Sequence, residues 1–237
     1  MAPLREARSW TVRYEEEIEI EPLRRYYLIF EGANTERKYF QGIEGYRKEL
    51  GINTLIELVI LHKEGEIRNY SHPHKLLELI NVKKDELKGD GNFDEKIDQF
   101  VIVFDRDSFE KKDDYFEFLE VAGKNNSFTI TSPYFEIWLL LHYDDAIIKY
   151  INPERTKIIE NNKVSSAHSF TSKLFSDIAG VNPKRNVNFP KIKEHVNLAI
   201  EQEKLLVQDN ISMFEEIGSN VGILIEEMRK DPREIIF

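Results

Sequence analysis

Short, almost entirely apolar runs alternate with longer segments of helical periodicity through the first part of the chain. The run Val101-Ile102-Val103-Phe104 is too short for a helix and rich in β-branched residues, which favours a buried strand. The pattern predicts strands at 26–31, 55–61, 99–105 and 128–131, alternating with helices at 35–49, 73–88, 111–123 and 134–143. Such alternation is typical of an α/β fold with a mainly parallel sheet flanked by helices.

The strand pattern fades after residue 145. Helices are predicted at 170–179, 190–208 and 219–230, with a polar break at 152–169. We therefore predict three parts: an N-terminal arm at 1–23, an α/β domain at 24–145, and a mostly helical C-terminal extension at 146–237 packed on that domain. Within the arm, Ile and Glu alternate through residues 15–21, which suits an edge strand or a solvated charged segment equally well.

Composition narrows the classes of protein. The 237-residue chain contains no cysteine, which excludes a disulfide framework, a zinc–thiolate site and a cysteine nucleophile. No signal peptide or apolar run of membrane length is recognisable, so we expect a soluble cytoplasmic protein without a membrane partner. The net charge of −10 disfavours broad, nonspecific binding to nucleic acid, although a bound metal could supply positive charge locally.

Asp105 and Asp107 follow the apolar strand that the pattern predicts at 99–105. In an open parallel sheet the functional crevice lies beyond the carboxyl ends of the strands, and residues two apart on a strand point the same way. Two carboxylates so close repel each other unless a proton or a cation lies between them. A hard divalent cation with oxygen ligands is the simplest answer.

A second acidic junction lies upstream. Glu31 ends the strand 26–31, and Gly32 permits a sharp turn into a helix that opens near Asn34 or Thr35. Glu36 falls in the first turn of this helix, facing back over the same edge of the sheet. Either acid alone is typical of a helix N-terminus, where a negative charge complements the helix dipole.

A third junction follows the strand 128–131. Ser132 and Pro133 are predicted as the N-cap and the first residue of a helix, with Glu136 one turn in. Taken alone, Glu136 suits the surface. Three strand ends that deliver acid to one edge of one sheet are more specific than any one of them.

These residues carry a family resemblance. The order strand, Glu-Gly, helix, then strand, Asp-x-Asp resembles the Toprim pattern of topoisomerases, primases and overcoming-lysogenization-defect nucleases. The segments FEGANTERKYF, VIVFDRDS and SPYFEIWLLLHY together look like the RloB/AbiLii group of Toprim proteins, as does the terminal SNVGILIEEM. The resemblance covers residues 24–145 well and the remainder loosely.

The resemblance implies a Toprim-like fold and a metal-dependent nuclease that hydrolyses phosphodiester bonds of tRNA or DNA. It also implies a toxic role in bacterial defence against phage beside an ABC/AAA-type ATPase, and it allows a homodimer. The implied cofactor is Mg²⁺, for which Mn²⁺ could substitute. Carried over by position, Glu31, Asp105 and Asp107 would be catalytic. These three, with Glu36 and then Glu136, would form the metal site. We expect Glu31, Asp105 and Asp107 to lie close enough to share one ion, and their pKa values to be raised without it.

Basic residues near these acids could contact a substrate phosphate. The alternative for Arg37, Lys38 and Arg106 is a salt bridge to the neighbouring acids. The densest basic stretch could follow a nucleic-acid backbone or form a solvated face, and it contains Lys184, Arg185, Lys191 and Lys193.

Other classes of function stay open. Asp105 could be the nucleophile of a phosphatase, an Asp-x-Asp can hold the metal of a nucleotide-sugar transferase, and the chain could be a non-catalytic sensor or assembly subunit. His72-Pro73-His74 could bind a transition metal or could simply be loop, and His142 is predicted at the surface or in a partner contact. The chain has no Walker A and no G-x-G-x-x-G motif, so ATP or dinucleotide binding lacks support.

Overall fold

The computed structural model describes residues 22–32, 34–63, 72–165 and 168–234. The predicted N-terminal arm, including the Ile/Glu alternation at 15–21, therefore lies outside the described residues apart from its last two. Among the residues that are described, no helix is both long and apolar enough to cross a membrane.

A five-stranded sheet forms the centre of the fold, with the strand order β2-β1-β3-β4-β5. The first four strands are parallel, and β5 pairs antiparallel with β4. The strands are β1 Arg24–Phe30, β2 Ile56–Ile60, β3 Asp98–Asp105, β4 Ser127–Ser132 and β5 Gly218–Ser219. The predicted α/β fold with a mainly parallel sheet is confirmed.

Helices cover both faces of the sheet. The bounds are α1 Thr35–Gly45, α2 Pro73–Gly89, α3 Lys112–Ala122, α4 Glu136–Leu140, α5 Arg155–Glu160, α6 Phe170–Ala179, α7 Phe189–Ile192, α8 Val196–Glu203 and α9 Val221–Arg229. A π-helical turn spans Ile147–Ile151, and 3₁₀ turns span Arg106–Ser108, Lys193–His195, Ser212–Phe214 and Pro232–Glu234.

Alternate residues of each central strand enter two separate apolar layers, as the pleat requires. Tyr27 and Ile29 of β1 pack with residues of α2 and α3 on one face. Tyr26 and Leu28 face the other way, into a cluster that contains side chains of α1, α4 and the later helices. Residues from 24–145 and from 146–237 thus share one apolar layer, while the proposed boundary near 145 stays a prediction.

The predicted helix at 219–230 is wrong at its start. Gly218 and Ser219 form β5, and α9 begins only at Val221. Packing decides this: the backbone N–H of Ile130 donates to the Asn220 side chain at 2.7 Å, so the segment continues the edge of the sheet before the helix starts.

The predicted helix at 190–208 is interrupted and shorter. The 3₁₀ turn Lys193–His195 separates α7 from α8, and α8 ends at Glu203. The chain then turns so that Val207 forms a bridge with Gly218, which a continued helix would prevent. This bridge places the end of α8 against the edge strand.

Two further helices are shorter than predicted, and one was missed. The helix predicted at 35–49 ends at Gly45. The helix predicted at 134–143 begins at Glu136, so Ser132 and Pro133 are not its N-cap and first residue. The predicted polar break at 152–169 contains α5, and Asn161, the residue that caps its C-terminus, is in the left-handed conformation with φ of 40°.

Candidate active site

The carboxyl ends of the four parallel strands meet at one edge of the sheet, and each is followed by a polar or charged residue. Glu31 follows β1, Lys63 lies shortly after β2, Asp105 ends β3, and Tyr134 follows β4. Because the strand order is β2-β1-β3-β4, these residues lie side by side along the edge. The crevice expected of a parallel sheet is therefore lined with ionisable groups.

Glu31 joins the ends of the two central strands. Its Oε2 accepts a hydrogen bond from the backbone N–H of Asp105 at 3.1 Å, and its Oε1 accepts one from the hydroxyl of Ser108. Burial raises the pKa of Glu31 to about 7, with further increases from the charges of Asp107 and Glu36, although the two hydrogen bonds favour the ionised form. The surroundings of Glu31 therefore disfavour its ionised form relative to water.

Asp105 lies between the acids of the other strands. Its Oδ1 accepts a hydrogen bond from the hydroxyl of Thr131, which lies opposite it in the register of β3 and β4. Burial raises the pKa of Asp105 well above its usual range, and the charges of Glu36, Glu31 and Asp107 raise it further. The Asp105 carboxyl is thus held in surroundings that disfavour its ionised form.

Asp107 lies in the middle of the 3₁₀ turn Arg106–Ser108 after β3 and is hydrogen-bonded to the side chain of Tyr134. Partial loss of water around its carboxylate raises the pKa of Asp107, while Tyr134 and the charge of Arg106 oppose the rise. Tyr134 is also hydrogen-bonded to Asn161 at the end of α5. A residue of the C-terminal part therefore helps to position this acid.

Glu36 reaches back over the turn that follows β1. It is 6% exposed, and a Cβ placed on Gly32 would lie only 2.1 Å from its Oε2. The bare backbone of Gly32 therefore leaves the space that the Glu36 carboxylate fills. Burial raises the pKa of Glu36 to about 7; its own backbone N–H and Lys63 oppose the rise, and the charge of Glu136 adds to it.

Glu136, in the first turn of α4, is buried and belongs to the same electrostatic group. Burial raises the pKa of Glu136, its own backbone N–H and the charge of Lys184 lower it, and the charge of Asp107 raises it. Its side chain is also hydrogen-bonded to Ser172 in α6. The surface position that the sequence around Glu136 suggested, when taken alone, is therefore wrong.

The five acids interact electrostatically, but their side chains are not arranged as a metal-binding site. Within residues 22–32, 34–63, 72–165 and 168–234, no group of three or more His, Asp or Glu side chains could hold a metal ion in its present position. The expected sharing of one ion by Glu31, Asp105 and Asp107 is therefore not met by these side-chain positions. The donor set still suits Mg²⁺, since every candidate ligand is a carboxylate oxygen and the pKa shifts show mutual repulsion.

Lys63 is the cation of this edge that the sequence analysis missed. Its Nζ donates to the backbone carbonyl of Glu31 at 2.7 Å, and the charges of Glu31 and Glu36 act on it. Burial is the largest effect and lowers the pKa of Lys63. Its position after β2 was the available signal, because it repeats the placement of Glu31 after β1.

The predicted substrate-binding cations have different surroundings. The Arg106 guanidinium lies 5.6 Å from the ring centroid of Phe214, with its Nε buried and unpartnered. Arg37 lies beside His62, with 3.4 Å between its Nη1 and the His62 Nδ1.

Lys38 and the basic stretch are brought together. The Lys38 Nζ donates to the backbone carbonyls of Arg185, at 2.7 Å, and Lys184, at 3.4 Å. This contact fixes the stretch against α1, close enough for the charge of Lys184 to act on Glu136. Lys193 is instead paired with Glu49 and lies 4.5 Å from the ring centroid of Tyr46.

His142 does not lie at the surface. It is 2% exposed and is hydrogen-bonded to Tyr39 at 3.1 Å and to the carbonyl of Trp138 at 3.1 Å. Burial lowers the pKa of His142 to about 4, so the ring is neutral at physiological pH. The expectation of a surface or partner contact is wrong, because the short helix α4 is buried on all sides.

The fold and this edge define an α/β protein whose carboxylates and lysines gather beyond the carboxyl ends of a parallel sheet. The chain belongs to the RloB-like protein family, whose family model matches residues 26–228. The RloB part of the sequence resemblance is thereby confirmed, and the topology is compatible with a Toprim relation. No significant match was found among curated proteins or among solved structures.

Proposed function

We propose that this protein is a metal-dependent nuclease that hydrolyses phosphodiester bonds of nucleic acid. One observation carries the proposal: five acids from three strand ends are gathered at the carboxyl edge of the sheet, where burial raises the pKa of each carboxyl group. A divalent cation would stabilise the ionised forms of these buried carboxyl groups, and phosphodiester cleavage is a reaction that such sites support.

The carboxylates of Glu31, Asp105 and Asp107 would hold Mg²⁺ or Mn²⁺, with Glu36 and Glu136 beside them. When bound, the ion would supply positive charge to the phosphate and lower the pKa of a water molecule.

The chain's own residues have separable tasks. Glu31 would also act as general base or acid, as the Toprim resemblance implies. Ser108 and Thr131 hold the carboxylates of Glu31 and Asp105 in place through their hydroxyl groups. Lys63 offers a positive charge on the β2 side of the acids.

Lys184 offers a second positive charge on the side of Glu136. The phosphate of a bound strand would then be flanked by cations at both ends of the edge.

The protein would also have a defined role in the cell. We propose that the nuclease is the toxic effector of a bacterial anti-phage system and acts with a separate ABC/AAA-type ATPase. Membership of the RloB-like family and the sequence resemblance to defence-associated Toprim proteins support this role. The absence of a Walker A motif in the chain is consistent with ATP hydrolysis by a partner.

The test is cleavage by the purified full-length chain, with and without its ATPase partner. DNA, tRNA and total RNA would be incubated in Mg²⁺, in Mn²⁺ and in EDTA. We expect metal-dependent cleavage that is lost in Glu31→Ala and in the double variant Asp105→Ala/Asp107→Ala, with circular dichroism unchanged. Glu117→Gln, an exposed acid of α3 away from the strand ends, is the matched control and should cleave normally.

Intact nucleic acid in every condition would contradict the proposal. Hydrolysis of a generic phosphomonoester through Asp105 would then support the phosphatase alternative. Inactivity toward both substrates, with retained binding to the ATPase, would support a non-catalytic subunit.

A further inference from the structure

A cavity of about 420 Å³ opens next to the acidic edge, in the volume range of roughly 300–1,000 Å³ that small-molecule sites occupy. It lies between the start of α2 and the turn that joins β3 to α3. Its walls include His72, His74, Ser108, Phe109, Lys111 and Asp114. The cavity thus combines aromatic rings with one cationic side chain, Lys111, and two anionic ones, Glu110 and Asp114.

The aromatic wall is ordered as a stack. The rings of His72 and His74 are parallel within 6°, with their centroids 5.2 Å apart. Phe109 packs edge-on against His72 at 5.3 Å, and Phe118 packs edge-on against His74 at 5.0 Å. Both histidines are exposed, whereas Phe109 and Phe118 are buried. The buried rings therefore support the two exposed rings from beneath.

Ser108 connects the cavity to the acids. It lines the cavity, its hydroxyl donates to Glu31, and its backbone is hydrogen-bonded to the side chain of His72. A molecule held against the histidine rings would therefore lie beside Ser108, whose hydroxyl is hydrogen-bonded to the Glu31 carboxylate. A nucleotide fits this arrangement, because its flat base can stack on the rings while its attached phosphate reaches the acidic edge.

We propose that the cavity receives one unpaired base of a single-stranded nucleic acid, which stacks on the rings of His72 and His74 while its phosphate lies at the acidic edge. This inference rests on the proposed nuclease function and names the substrate class of that site. A base in a duplex is stacked and paired with its neighbours, so it could not enter the cavity without being extruded. Stacking tolerates any base, and Lys111 and Asp114 offer a donor and an acceptor to its polar edge.

The experiment measures binding separately from cleavage. Short fluorescein-labelled oligonucleotides, as single-stranded DNA, single-stranded RNA and their duplexes, are titrated with the full-length protein in Ca²⁺ and followed by anisotropy. We expect single strands to bind more tightly than duplexes. The double variant His72→Ala/His74→Ala should lose about tenfold or more in affinity for single strands, whereas duplex binding should change little.

The matched variants separate stacking from other roles of the histidines. His72→Phe/His74→Phe keeps the rings but removes every nitrogen, so it should retain affinity if stacking is the interaction and lose it if the pair binds a transition metal. His195→Ala removes an exposed histidine elsewhere and should bind normally. Circular dichroism checks that loss of the His72 side chain, which accepts a bond from the His74 backbone N–H at 3.4 Å, leaves α2 folded.

The outcomes distinguish the two proposals. Ring-dependent binding of single strands in Ca²⁺, with no cleavage in Mg²⁺ or Mn²⁺ with or without the ATPase, would contradict the nuclease and leave the base site standing. Cleavage with no effect of the alanine variant, or equal affinity for duplex and single strand, would overturn the base site alone. No binding to any oligonucleotide would likewise overturn the base site, and intact nucleic acid in the cleavage test would overturn both.

Discussion

The carboxylate of Glu31 accepts a hydrogen bond from the backbone N–H of Asp105, with 3.1 Å between Oε2 and the nitrogen. The two residues are 74 positions apart in the chain, and the parallel pairing of β1 with β3 brings their strand ends together. A backbone donor is fixed by the sheet, so Glu31 is positioned by the fold itself. Its carboxylate therefore does not depend on a bound ion for its place at the edge.

Gly32→Ala should separate activity from stability. The added methyl group would lie where the Glu36 carboxylate now lies, and the flexible Glu36 side chain would move away at little cost to folding. We expect metal-dependent cleavage to fall by about tenfold to a hundredfold, while the free energy of unfolding changes by less than about 1 kcal/mol.

The matched control for that change is Gly45→Ala, because a Cβ at Gly45 meets no atom within 4 Å. It should cleave normally. Equal activity of the two variants would show that the position of Glu36 is irrelevant to the reaction.

Asp107→Asn should stabilise the metal-free protein and remove its response to metal. Repulsion among the acids falls when one charge is removed, which we expect to add roughly 0.5 kcal/mol to the free energy of unfolding after screening by water. Thermal unfolding in EDTA and in Mg²⁺ measures both effects.

Wild-type protein should gain several degrees in Tm with Mg²⁺, and Asp107→Asn should gain clearly less. Asp85→Asn, on the exposed face of α2, should respond to Mg²⁺ like wild type. A clear loss of stability in Asp107→Asn would instead assign Asp107 a structural role with Tyr134 or Arg106.

Lys184→Ala/Arg185→Ala should weaken nucleic-acid binding and make the remaining affinity less dependent on salt concentration. If each side chain contacts one phosphate, the slope of log K against log salt concentration should fall by about 1.4 to 1.8. Titrations at several salt concentrations give this slope.

Lys193→Ala is the control for the basic stretch, because Lys193 is already paired with Glu49 and packed against Tyr46. We expect its slope to match that of wild type. A larger effect of Lys193 than of Lys184 and Arg185 would place the nucleic acid on a different surface.

Glu203→Gln should change the pH dependence of stability. Glu203 is fully buried, accepts bonds from Ser219, Gln208 and the backbone of Gly222, and burial raises its pKa to about 7 from an ordinary value of 4.5. Between these two pH values the folded state keeps a proton that the unfolded state loses. The contribution of Glu203 is therefore full below pH 4.5 and declines until about pH 7.

Urea unfolding at pH 5 and at pH 8 measures this decline. Relative to wild type, Glu203→Gln should gain up to about 3 kcal/mol between the two pH values. Glu201→Gln, on the exposed side of the same helix, should show no such gain. A constant difference between Glu203→Gln and wild type would mean that Glu203 stays ionised in the folded protein.

Local sequence determined much of the sheet and the acidic half of the site. Val101 to Phe104 are apolar and β-branched or aromatic, which is enough to predict a buried strand. Asp105 directly follows this run, so its place at the end of the strand could be predicted from the sequence. The same reading placed Glu31 beyond β1 and Glu36 in the first turn of α1. Strand alternation and turn residues act over a few neighbouring positions, so they are readable without the fold.

Tertiary structure alone decided which other groups join the acids. Lys38 contacts the carbonyl of Arg185 across 147 positions of sequence, and this contact brings Lys184 toward Glu136. β5 exists only because Gly218 and Ser219 meet the edge of β4, where an isolated pair of residues has no strand pattern. Such contacts depend on the free energy of packing distant segments together, which no local pattern of residues records.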